Sequence, residues 1–134
     1  MHMLDANLVK LAAAIQQTSA CSLWAKRLTD LRVTKIERRV QVSWLFRQTR
    51  WHTELESSEG WKATMPSTKV LDAVDVNEFV RGLAGTGMDV REFDDRDIRR
   101  ALHTALGDAL RVAQDRIDTA ACDAPCIEER GGAR

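Results

Sequence analysis

Apolar residues return every three or four positions at the start of the chain. Leu8, Leu11, Ala12 and Ile15 mark one face of an amphipathic helix over residues 6 to 17, with Asp5 as its N-cap. Trp24, Leu28 and Leu31 form a second stripe out of phase with the first. The slip places a turn at Thr18 to Ser22, with Ser19 or Ser22 capping a second helix, because a short side-chain oxygen there can accept a free helix N–H. From Thr34 to Gln48 the period becomes two. Ile36, Val40, Val42, Trp44 and Phe46 alternate with Lys35, Glu37, Arg39, Gln41, Ser43 and Arg47, which predicts one strand with Trp44 and Phe46 turned inward. Arg38 and Leu45 interrupt the alternation and predict a bulge or a partly covered outer face.

Trp51, Thr53 and Leu55 alternate again, Ser57 to Gly60 reads as a turn, and Trp61, Ala63 and Met65 make a third strand stopped by Pro66. The three strands predict an antiparallel meander. Residues 70–74 fit a helical turn or a short strand equally well. Asp75 with Glu78 has capping-box spacing, ahead of a short helix whose apolar face is Val76, Phe79, Val80 and Leu83 and which Gly82, Gly85 and Gly87 would end. Met88 to Phe93 is expected to add an edge strand. Asp94 or Asp95 then caps a long helix over 96–118, striped by Ile98, Leu102, Leu106, Leu110 and Ile117 with Ala101, Ala105, Ala109 and Ala113 beside them.

The fold class is therefore α+β: N-terminal helices, a three-stranded antiparallel meander, a short helix and a long C-terminal helix packed on one sheet face. Residues 1–121 are expected to form a single domain and residues 122–134 a flexible C-terminal tail. The alanines of the long helix would let another helix approach closely, which predicts a homodimer or a partner on that helix.

A chain of 134 residues, 44% of them apolar, can fill one ordinary core. Its 20 basic and 20 acidic side chains cancel, but residues 1–50 carry +6 and the remainder −6. No run is long and apolar enough for a membrane span and no secretory leader is legible, so a soluble, cytoplasmic protein with no membrane partner is expected. Cys21, Cys122 and Cys126 are an odd set with no framework spacing and read as free thiols. Met1-His2-Met3 reads as a cloning-site remnant ahead of a native start at Met3.

Charge patterning singles out the basic, Trp-containing segment 24–62. Arg39 and Arg47 are placed on the polar side of one strand and Arg50 at the start of the next, a patch for a protein partner or nucleic acid. His52-Thr53-Glu54 with Pro125-Cys126 matches a zinc deaminase only in part, because Glu129 stands where a second cysteine is needed. A metal site from His103, Cys122 and Cys126 has poor spacing. Asp94, Asp95 and Asp97 sit where a helix N-terminus favours carboxylates. Gly82, Gly85 and Gly87 lack phosphate-loop spacing. No nucleophile, base and orienting group assemble, and no cofactor or metal is expected. The reading is a small cytoplasmic non-enzymatic protein-binding protein of adaptor, inhibitor, immunity-protein or secretion-chaperone type. Its alternative is a nucleic-acid-binding accessory protein using segment 24–62.

Overall fold

The computed structural model describes residues 3–130, with side chains from residue 6 onward. Helix α1 (Met3–Gln16) starts ahead of Asp5 rather than after it. Helix α2 (Ser19–Thr29) is capped by Thr18, not by Ser19 or Ser22: the Thr18 hydroxyl accepts from the Cys21 amide at 3.2 Å and donates to the Ile15 carbonyl at 2.6 Å. One buried threonine thus closes one helix and opens the next. The chain continues through β1 (Arg32–Val42), β2 (Arg47–Glu56) and β3 (Lys62–Met65). A 3-10 turn at Val70–Ala73 resolves the ambiguity of residues 70–74, and α3 (Val76–Ala84) follows. Asp75 caps α3 by accepting from the Asn77 amide. Glu78 does not complete the expected box, because its carboxylate accepts instead from Trp24 Nε1 at 3.1 Å. Gly82 lies inside α3, where a Cβ would come 3.2 Å from Thr18. That close approach gives the glycine a packing role rather than a helix-ending one.

Met88 to Phe93 forms no edge strand; Val90–Glu92 is a 3-10 turn capped by Asp89. The capping box appears on α4 (Asp95–Cys122), where Asp94 accepts from the Asp97 amide at 2.8 Å and Asp97 accepts from the Asp94 amide at 3.4 Å. This helix is broken at Gly107, whose φ of 45° and ψ of −117° leave the helical region. The apolar stripe stays buried on both sides of the break.

Within residues 122–134, expected to be a flexible tail, Cys126–Arg130 forms β4, which pairs parallel to β1 with Arg38 opposite Cys126 and Val42 opposite Arg130, while residues 131–134 lie outside the described residues. The sheet therefore has four strands in the order β3-β2-β1-β4 and is mixed, not a three-stranded meander alone. All five β4 side chains are exposed, so the strand is held by its backbone pairing and leaves no apolar periodicity to read.

The core lies between the helices and the sheet face presenting Leu55 and Met65, and joins Leu11, Ile15, Trp24, Leu28, Phe79, Leu102 and Ile117 into one cluster. Trp24 is 1% exposed and meets Trp61 edge to face, with centroids 5.2 Å apart and an interplanar angle of 83°. The Arg27 guanidinium lies 4.9 Å from the Trp24 ring, in cation–π range. Ala101 and Ala113 are buried in the same cluster, where α1 and α2 pack along α4. Two of the four alanines expected to receive another helix are thus buried within the chain itself, while Ala105 and Ala109 are partly buried against the same cluster. Among the described residues, no helix is long and apolar enough to cross a membrane.

Candidate functional site at the β1–β2 hairpin tip

The strand predicted over residues 34–48 is two strands and a turn. β1 stops at Val42, β2 starts at Arg47 directly opposite it, and Ser43 to Phe46 form the loop between them. Parity hid the turn, because a four-residue loop preserves the even spacing of Val42, Trp44 and Phe46 and contains neither glycine nor proline. Trp44 and Phe46 are not in the core. Trp44 is 87% exposed, Leu45 68% and Phe46 57%, three large apolar side chains in succession at the end of a hairpin.

Ser43 builds this loop. Its amide donates to the Phe46 carbonyl at 2.9 Å, and its Oγ accepts from the Leu45 and Phe46 amides at 3.3 and 3.2 Å. Both amides would otherwise need solvent. With them satisfied internally, the loop can enter an apolar environment without leaving bare donors.

Strand register also rearranges the arginines. Arg39 and Arg47 do not share a strand: Arg39 is on β1, directly opposite Arg50 of β2, while Arg47 stands opposite Val42. Arg47 is three residues from Arg50 and therefore projects from the other face of the hairpin. Arg39 is already engaged, its Nε and a terminal nitrogen lying 3.1 and 3.0 Å from Glu37 Oε2. Arg38 lies opposite Trp51 and was not singled out by the sequence. Among the described residues, Arg38, Arg47 and Arg50 make no ion pair, and all three are exposed. The cationic set at the hairpin is thus Arg38, Arg47 and Arg50, on both faces, with Arg39 tied down beside them.

Partial desolvation pushes the Glu37 carboxyl up, but hydrogen bonds and charges from Arg39 and Lys35 outweigh it and hold the group below its ordinary value. β3 pairs only with Thr53–Glu56, so among the described residues the outer edge of β2 from Arg47 to His52 has no strand neighbour. The hairpin therefore offers an apolar cap at its tip, three guanidinium groups without an ion pair among the described residues along its length, and an open backbone edge.

The other sequence candidates are employed locally. His52 Nε2 lies 2.8 Å from Glu54 Oε2, and Asp94 and Asp97 cap α4. Among the described residues, no three histidines, cysteines or carboxylates converge as a metal-holding group. Cys21 is buried, and burial pushes its thiol pKa up; Cys122 and Cys126 are exposed, and all three are free. Comparison with protein-family models, curated proteins and solved structures finds no match for this chain.

Proposed function

We propose that the protein is a small non-catalytic, cytoplasmic binding protein that grips another protein through the β1–β2 hairpin. The observation that supports this reading is the exposed run Trp44-Leu45-Phe46 on a loop whose amides Ser43 already satisfies. Contiguous exposed apolar side chains mark association surfaces, and Trp and Arg are the residues most enriched where binding energy concentrates. A preformed loop also loses little freedom on binding. Arg38, Arg47 and Arg50 favour a partner with carboxylates around an apolar recess. The test is capture of a host protein by the wild type, compared with a Trp44→Ala/Phe46→Ser variant of unchanged circular dichroism and melting. Loss of capture in the variant supports the reading; equal capture by both refutes it.

A second reading rests on the same arginines. An exposed indole among unpaired guanidinium groups also suits single-stranded nucleic acid, with the ring stacked on a base and the cations on phosphates. Binding would then fall with salt by about 0.7 log units per phosphate contact for each tenfold rise in salt, and Arg47→Ala would flatten that slope by about the same amount. No binding of labelled oligonucleotides at low salt removes this reading.

A further inference from the structure

The break in α4 opens onto a cavity of about 660 Å³. We infer that this cavity is a binding site for a small organic anion with an apolar body, a medium-chain carboxylate or alkyl phosphate. Its floor is apolar: Val70, Leu71 and Leu110 are all buried residues that also line the hollow. Its rim brings together Lys69 from the segment after the sheet, Arg99 from the first half of α4 and Arg111 from the second half. Three cations thus line the hollow beside two carboxylates, Asp72 and Asp115, over an apolar floor, and the surplus of positive charge suits an amphipathic anion.

Two of these cations are ion-paired at the rim, but at long distances. Asp72 already accepts from Ser67 Oγ at 2.6 Å, and Arg99 approaches it only to 3.6 Å. Arg111 lies 3.5 Å from Asp108 and 3.6 Å from Asp115, both beyond ordinary hydrogen-bond length. Lys69 makes no ion pair among the described residues. Each guanidinium carries five N–H donors, so beside these ion pairs Arg99 keeps Nε and Nη2, and Arg111 keeps Nη2, for a carboxylate or phosphate.

One wall is rigid, because Gln114 accepts from the Val70 amide at 2.9 Å and donates to the Thr68 carbonyl at 2.7 Å. The stretch of wall at Gly107 carries no side chain. Gly107 has a φ of 45°, and a Cβ built on it would meet nothing within 4 Å. An interruption in the middle of a buried amphipathic helix forfeits backbone hydrogen bonds, and departures of this kind concentrate at binding and catalytic sites. Here the departure lies on the cavity wall.

The test uses the whole protein, isotopically labelled and titrated with octanoate, octyl phosphate and octanol, with affinities from calorimetry. Saturable binding of either anion is expected, with backbone amide shifts concentrated in Lys69–Asp72 and Gly107–Gln114; the tighter anion identifies the preferred headgroup. Octanol should bind at least about tenfold more weakly, and Arg99→Gln/Arg111→Gln should weaken the anions by about tenfold or more while leaving octanol unchanged. Both arginines are partly exposed, and circular dichroism checks that the variant folds. Octanol binding as tightly as the anions, anion binding indifferent to the arginines, or no shift in these amides at millimolar ligand would each overturn the proposal.

Discussion

The same chemical change at two tryptophans should have opposite consequences. Trp24 is 1% exposed, and its truncation to alanine removes about 200 Å² of buried ring, worth ~5 kcal/mol at ~25 cal/mol per Å². The edge-to-face contact with Trp61 adds about 1 kcal/mol. Relaxation of the cavity recovers part of the total, so Trp24→Ala should destabilise by about 3 to 5 kcal/mol, the range for large buried aromatics. For a chain of this size that is a fall in Tm of roughly 10 to 20 °C. Trp44 is 87% exposed at a hairpin tip, and Trp44→Ala should stay within about 0.5 kcal/mol of wild type. Urea unfolding followed by circular dichroism measures both without relying on the mutated fluorophore. A Trp44→Ala variant that loses more than about 1.5 kcal/mol would show that the indole is packed against the domain, and would sink the hairpin site with it.

At Gly107, alanine meets no steric neighbour but must adopt a φ that L-residues rarely hold, so Gly107→Ala should cost about 1 to 3 kcal/mol in thermal melting. A gain in stability would mean the helix runs unbroken in solution. The Glu37 carboxyl has a folded pKa below its ordinary value of 4.5, so its stabilising effect is present above that value and lost as pH falls through the folded one. Wild type should therefore lead Glu37→Gln at pH 6 and converge with it in acid; a constant gap in acid titrations would contradict the ion-pair assignment. Thiol titration with a chromogenic disulfide should show Cys122 and Cys126 reacting quickly and Cys21 slowly until denaturant is added, since burial keeps its thiol protonated. Three equal rates would place Cys21 outside the core.

Helical stripes were legible because burial and sequence period coincide. Leu11 and Ile15, Trp24 and Leu28, and Ile98 through Ile117 are all buried as their spacing requires. The hairpin tip was not legible, for a reason that lies in its arithmetic. A loop of four residues keeps Trp44 and Phe46 in phase with Val40 and Val42, and Ser43 closes the turn without any residue of positive φ. Alternation singles out Arg39, whose guanidinium is held by Glu37, whereas Arg38, which has no ion pair among the described residues, only interrupts the pattern. The Gly107 break left no trace either, because the apolar stripe remains in register across it. β4 was invisible for the opposite reason: it buries none of its side chains, so hydrophobic pattern says nothing about it.

The parallel pairing of β4 on β1 sets an order of events as the chain is made. β1 can find β2 as soon as both have emerged, since only four residues separate them. Its other edge must wait for Cys126–Arg130, which arrive more than eighty residues later and only after α4 has been synthesised. Until then a nascent sheet presents an uncovered strand with Val40 and Val42 beside it, a surface open to mispairing with other chains. Contacts spanning such a length close slowly, so the arrival of Cys126–Arg130 governs how long the young chain stays vulnerable. Truncation after Asp123 should accordingly leave the helices intact yet increase aggregation during refolding, which light scattering would record.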